Sequence, residues 1–195
     1  SMEPLQADEL LKRIEKYAQA SLSMAESFVR LASAQSNEYR VAPLDLASVL
    51  QDAVDDAWTQ ASNQEVSVTI LQIPHSAPCV GDRPLLARAM ANVLNNAIKY
   101  SPARGTVRCS LYARGPNWVI SIRDEGPGID PAQQDRLFKP FSRLHDLTHP
   151  NISGVGLGLA LVHTVVKRHG GSLEVESAVG QGAEFRLVLP ASASD

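Results

Sequence analysis

"ANVLNNAIKYSP", residues 91–102, threads three asparagines, Asn92, Asn95 and Asn96, through an otherwise apolar helical run. Asparagine is a mediocre helix former because its amide competes for nearby backbone groups. The helix is expected to run from Pro84, tolerated in a first turn, to about Tyr100, with Pro102 stopping it. Over that span Asn92, Asn96 and Lys99 fall at i, i+4 and i+7 and share one face, while Leu86, Met90, Val93 and Ala97 occupy the other. An amide oxygen can ligate Mg²⁺ without adding charge, and an ammonium can meet phosphate. Read alone, the polar face competes with simple solvation, for which Glu and Lys would be commoner.

Outward from this helix the chain alternates helices with hairpin-linked strands. Asp45 is placed to cap a helix through "LASVLQDAVDDAW", and "VSVTILQI" (66–73) reads as a strand. "TVRCSLYA" and "NWVISIRD" are strands joined by the turn "RGPN". A short helix from Pro131, a polar loop "HDLTHPNIS", a helix from Gly156 to about His169 and the strands "SLEVES" and "EFRLVLP" complete the domain. The pattern predicts one mixed sheet with helices against one face. Upstream, from residue 9 to about 36, Leu11, Ile14, Ala18, Leu22, Ala25, Val29 and Ala32 recur at threes and fours, the seam of an amphipathic helix that needs a partner.

Two further glycine-bearing stretches have the composition of a ligand site. In "RDEGPGID" (123–130), Gly126 and Gly128 let a ligand approach the backbone, and the Asp124 carboxylate can accept from a buried amine such as that of adenine; as an isolated pattern, Asp-x-Gly-x-Gly also makes an ordinary turn. In "SGVGLGLALV" (153–162), Gly154, Gly156 and Gly158 open an apolar helix whose exposed amides suit phosphate. Their spacing fits neither GxGxxG nor GxxxxGK[ST], which excludes Rossmann and P-loop readings. Between the two lies "LFKPFSRL" (137–144), where Phe138 and Phe141 can anchor a loop and Arg143 can reach a terminal phosphate.

Bulk properties remove other classes. The 195 residues suffice for one domain and an appendage, and no apolar run approaches the roughly 20 residues of a membrane-spanning helix. A net charge of -3 leaves no footprint for nucleic acid. Cys79 and Cys109 stand far apart with no CxxC or Cys/His grouping, so a disulfide framework or zinc site is not expected and a reducing, cytoplasmic setting fits. His145 and His149 form an i, i+4 pair without further ligands, and His75, His163 and His169 show no partners in sequence.

Taken in order, the four stretches resemble the N, G1, F and G2 boxes of the catalytic ATP-binding domain of sensor histidine kinases, over residues from about 43 to 190. The resemblance implies an α/β (α+β) fold, the two-layer Bergerat sandwich shared with gyrase, heat-shock chaperone and mismatch-repair ATPases, with ATP and Mg²⁺ as its ligands. It further implies that Asn96 ligates Mg²⁺ with Asn92 nearby. Lys99, Tyr100, Ile129, Arg143 and Leu157 would line the nucleotide, Asp124 would bind adenine between Gly126 and Gly128, and Gly154, Gly156 and Gly158 would border the phosphates. Residues 1–40 are similar to the second helix of the family's dimerisation and phosphoacceptor hairpin. The first hairpin helix, with its acceptor histidine and acidic general base, has no counterpart upstream of residue 9, so self-phosphorylation is not expected. The implied partners are a response regulator receiver domain and, through the hairpin, a second copy; the intact parent is cytoplasmic or anchored at the inner membrane. "HDLTHP" (145–150) echoes the acceptor motif but sits where the family has its lid. Two other readings remain in view, a clamp-type ATPase of the gyrase branch and a silent nucleotide sensor.

Overall fold

The structure, a computed structural model, describes residues 39–142 and 156–192 and, further upstream, scattered positions between 10 and 29. Those scattered positions are helical, and Leu10, Leu11, Ile14, Tyr17, Leu22 and Val29 all stand exposed. Arg143, Gly154 and the His145/His149 pair lie outside the described residues. Among the described residues no helix is long and apolar enough to cross a membrane.

The domain opens with a short strand, β1 (Ala42–Asp45), and the helix α1 (Leu46–Asn63). Asp45 caps α1 as its position predicts, its Oδ1 accepting from the Ala47 amide at 2.8 Å. That same oxygen accepts from Ala77 N at 2.9 Å, so the cap also ties down a loop some thirty residues later. Strands β2 (Ser67–Gln72) and β3 (Pro78–Gly81) follow, then α2 (Arg83–Tyr100), the asparagine-bearing helix. Asp82 caps α2 through Oδ1 and the Leu85 amide at 3.0 Å, Pro84 sits in the first turn, and Ser101 closes it on Ala97 O. Leu86, Ala89, Met90, Val93, Leu94, Ala97 and Ile98 form its buried face.

After α2 come β4 (Thr106–Arg114), β5 (Asn117–Arg123), the single turn α3 (Pro131–Gln134), α4 (Gly158–Arg168), β6 (Ser172–Ser177) and β7 (Ala183–Pro190). The main sheet has the order β2-β4-β5-β7-β6, parallel only at β2–β4. Alternation along its strands turns Val107, Cys109, Leu111, Ile120, Ile122, Phe185, Leu187 and Leu189 into one core with α1, α2 and α4. The opposite face is polar: Arg186 pairs with Glu176 and Glu184, and Arg114 with Glu174. Helices therefore cover one side only, as the alternating pattern predicts.

Two features depart from the sequence reading. β1 and β3 pair antiparallel as a separate two-stranded sheet, Ala42 opposite Gly81 and Asp45 opposite Pro78. Pro43 and Pro78 mask both strands in sequence; proline is compatible with such edges because they need few ladder donors. The last helix starts at Gly158 and not at Gly156, because Gly156 has φ +75° and cannot belong to a right-handed helix.

Candidate functional site

α2 and α4 lean together at one end, where Arg88, Ala91, Asn92, Asn95, Leu157, Gly158 and Leu161 line an open hollow of about 260 Å³. Asn92 is oriented by its own helix, Nδ2 donating to Arg88 O at 2.9 Å. Its Oδ1 consequently faces α4, where a Cβ on Gly158 would come within 3.0 Å of it. Glycine at 158 thus lets the helix start come close to the asparagine. Among the described residues α4 begins without a side-chain cap on its first amides, and Leu157 is buried beneath them.

One turn beyond Asn92, Asn96 is half-buried on the same face, and a further turn on, the Lys99 ammonium lies 5.2 Å from the Tyr100 ring centroid. The end of α2 meets the loop after β5 here. A Cβ on Gly126 would sit 2.7 Å from Tyr100 O and 2.9 Å from Asp124 Oδ1, so a glycine is required for the contact.

Asp124 is 5% exposed. Its Oδ1 accepts from Gly126 N at 2.8 Å and Ala183 N at 3.1 Å, while its own amide donates to Ala183 O at 2.9 Å. No described donor meets Oδ2. Burial pushes the Asp124 carboxyl above the usual carboxylate range, opposed by the two amides and by the charge of Arg123. A buried carboxylate with one oxygen fixed by backbone and the other unengaged is a ready acceptor for a ligand amine.

The floor around it is pinned from the β6–β7 side. Gly128 has φ +72°, and a Cβ there would lie 1.9 Å from Ala178 O. Ile129 is buried, its amide donating to Ser177 Oγ at 2.8 Å, and that hydroxyl donates in turn to Gly182 O at 2.7 Å. Gly182, also left-handed at φ +73°, would clash with Asp124 O at 2.1 Å if it carried a Cβ. Ala183, Gly182 and Ser177 were not legible as site residues in sequence; the one available signal was a glycine two residues before an apolar strand.

On the α4 side, Phe138 stacks on His163 at 5.6 Å, anchoring as the sequence predicts, whereas Phe141 is exposed, with φ +63°. Phe141 N donates to Gly156 O at 3.0 Å. His163 and His169, without visible partners in sequence, both have them: His169 Nε2 accepts from Asp82 N at 2.9 Å and Nδ1 meets Val165 O at 2.8 Å. The folded chain thus unites Tyr100, Asp124, Gly126, Gly128 and Ile129 in one group and Asn92, Gly156, Leu157 and Gly158 in another, with Asn96 and Lys99 between them along α2. Among the described residues no group of three His, Cys, Asp or Glu could hold a metal ion. Asn96 fits a different arrangement, in which Mg²⁺ keeps most of its waters and arrives with phosphates, taking one or two protein oxygens.

Residues 81–193 match the family described as histidine kinase-, DNA gyrase B-, and HSP90-like ATPase. The chain is 34% identical over 170 residues to the sensor-like histidine kinase SenX3 of Mycobacterium tuberculosis, a match covering 86% of this chain and 41% of the relative. It thus spans under half the length of such curated relatives. Among solved structures it resembles a mycobacterial sensor histidine kinase, MprB, with TM-score 0.66 and 34% identity over 78% of this chain and 98% of that one. Full-length ShkA in complex with AMPPNP shares the fold, with TM-score 0.80 at 23% identity over 100% of this chain and 40% of that one.

Proposed function

Because this chain belongs to the histidine kinase-, DNA gyrase B-, and HSP90-like ATPase family, we propose that residues 43–190 are the Mg-ATP-binding catalytic part of a two-component sensor histidine kinase. The γ-phosphoryl group goes to a histidine on a separate hairpin helix and from there to a response regulator receiver domain. Residues 1–40 are the second helix of that hairpin, and the exposed stripe from Leu10 to Val29 is the face that pairs in a dimer.

One observation carries the reading: a carboxylate held almost out of water, without an ion-pair partner among the described residues, at the end of a glycine-floored loop. Burying such a group is costly, and a site tolerates it where a ligand completes its hydrogen bonding. Asp124 accepts the exocyclic amine of adenine on Oδ2. Gly126, Gly128 and Ile129 form the wall against the ring, and Lys99 and Tyr100 lie along the sugar and phosphates. Asn92 and the uncapped start of α4, with Gly156, Leu157 and Gly158, face the phosphates; Arg143 and Gly154, assigned to the phosphates by the family resemblance, lie outside the described residues. Asn96 holds the Mg²⁺, which when bound neutralises phosphate charge. Phosphoryl transfer needs little covalent chemistry from the protein, so orientation and charge are the whole contribution of these residues.

The test is transfer. The chain incubated with γ-labelled ATP stays unlabelled, and adding a polypeptide that bears the parent's acceptor helix places acid-labile label on the added piece. Label on this chain alone, lost with His145→Ala, would reverse the assignment of the acceptor.

A further inference from the structure

At the ends of α2 and α4 remote from the hollow, one cluster gathers three segments. Asp82 Oδ1 caps α2 on Leu85 N, and its Oδ2 accepts from Arg40 N at 3.1 Å, where the chain enters the domain. The Asp82 amide donates to His169 Nε2, at the C-terminal end of α4. Since a backbone N–H can only donate, Nε2 must be the acceptor, so the ring is neutral with its proton on Nδ1, which donates to Val165 O. Tyr39 closes the cluster: its ring meets His169 edge-on at 5.1 Å, and the Arg168 guanidinium lies 4.8 Å from the Tyr39 ring centroid. The fit is tight, because a Cβ on Gly81 would lie 2.5 Å from His169 Cδ2 and 2.7 Å from Nε2.

We propose that Asp82 and His169 are positioning residues, forming a joint through which the segment entering at Tyr39–Arg40 sets how α2 and α4 meet across the site. The functional consequence rests on the nucleotide reading above; the mechanical one does not. α2 carries Asn92 and Asn96, α4 opens with Leu157 and Gly158, and both helices are fastened to each other and to Arg40 through these two side chains. A pull or rotation on the upstream segment therefore acts on Asp82 first and on the relative placement of both helices next. The joint requires a neutral imidazole. Burial holds His169 below the ordinary histidine range, with Asp82 opposing and Arg168 reinforcing that shift. The charged or titratable groups facing the cluster are Tyr39 from the upstream segment, Asp82 before α2, Arg168 on α4 and Cys79 on β3.

Amide hydrogen exchange on the full chain, followed by NMR, tests this. In the native protein at pH 7 the Arg40 amide is protected. Gly81→Ala, which displaces His169 without altering it, lowers protection at Arg40 and at Leu161 by at least tenfold each and leaves Ile120 in the sheet unchanged. His169→Gln keeps an acceptor for Asp82 N; its protection factors stay within about threefold of native at pH 7 and do not change as pH falls, whereas native Arg40 loses protection as pH falls through the depressed folded value of His169. In calorimetry with Mg-ADP, Gly81→Ala weakens binding at least threefold, whereas His169→Gln stays within threefold of native. An unprotected native Arg40, or a Gly81→Ala effect confined to Arg40, overturns the joint. Absence of Mg-ADP binding by the native chain overturns the nucleotide reading alone, and Leu161 exchange still decides the joint. Should Gly81→Ala not fold, the pH response of Arg40 in native against His169→Gln decides it: equal responses overturn the proposal.

Discussion

The loop at Asp124, which meets the end of α2 at Tyr100, and the start of α4, which meets Asn92, are built by opposite means. At Asp124 the backbone is locked: Gly128 and Gly182 hold left-handed conformations with carbonyl oxygens where a side chain would begin, and Asp124, Gly126, Ile129, Ser177 and Ala183 satisfy one another. At Gly158 the neighbour is only the tip of Asn92, α4 lacks a side-chain cap, and Ser142 Oγ nearby is buried with no described partner. On the proposed function, a planar base would meet a surface shaped in advance. On the same reading, phosphates would meet the start of α4, which a change of helix placement can alter.

The largest expected effects break that contrast at its rigid end. Gly128→Ala forces a Cβ against Ala178 O in a left-handed conformation, and should cost roughly 3 kcal/mol or more of stability, read as a fall in Tm of about 6 to 12 °C. Gly158→Ala meets a movable amide, and its stability should stay within about 0.5 kcal/mol of native while phosphate-dependent affinity falls. Equal thermal shifts for the two variants would erase the distinction.

Asp124→Asn comes next and separates function from folding. Losing a charge-assisted acceptor should weaken ATP by about 1.5 to 3 kcal/mol in calorimetry. Stability should not fall. Burial raises the folded pKa of Asp124, so its contribution favours the fold at low pH and is lost as pH rises through that folded value; at pH 7 the ionised form is a burden that asparagine lacks. Asparagine's oxygen still accepts from Gly126 N and Ala183 N. A variant that loses stability and affinity together would make Asp124 a structural residue.

The smallest effect concerns His169. Its folded pKa is depressed chiefly by burial, so the unfolded chain takes up the proton first; stability should decline as pH drops below about 6.5 and continue to decline until the folded value is passed. Denaturant melts of native and His169→Gln between pH 7.5 and 5 should converge on a smaller slope in the variant.

How much of this was legible in sequence follows from the range of the forces involved. The caps Asp45 and Asp82 act within three residues, and the apolar faces of α1 and α2 repeat within one turn, so both helices and the asparagine face are legible directly; at α2 the nearby Pro84 is the stronger start signal and masks Asp82. The strands β4 to β7 announce themselves by alternation. Gly126 and Gly128 signal a special backbone, but not what it is special for. The partner that fixes Asp124 is Ala183, fifty-nine residues later, and alanine has no side-chain chemistry to betray it. β1 and β3 stayed hidden because their pairing is distant and each contains a proline. The imidazole of His169 found its role only through Gly81, a glycine kept for space and not for turning.

The central claim, that Asp124 and its glycine floor select an adenine nucleotide, is tested most directly by titrating the native chain with Mg-ATP and Mg-GTP in a calorimeter. The account predicts saturable binding of Mg-ATP and affinity for Mg-GTP weaker by at least tenfold, since guanine presents a carbonyl where adenine presents its amine. Equal affinity for the two nucleotides, or no binding of Mg-ATP, would contradict it.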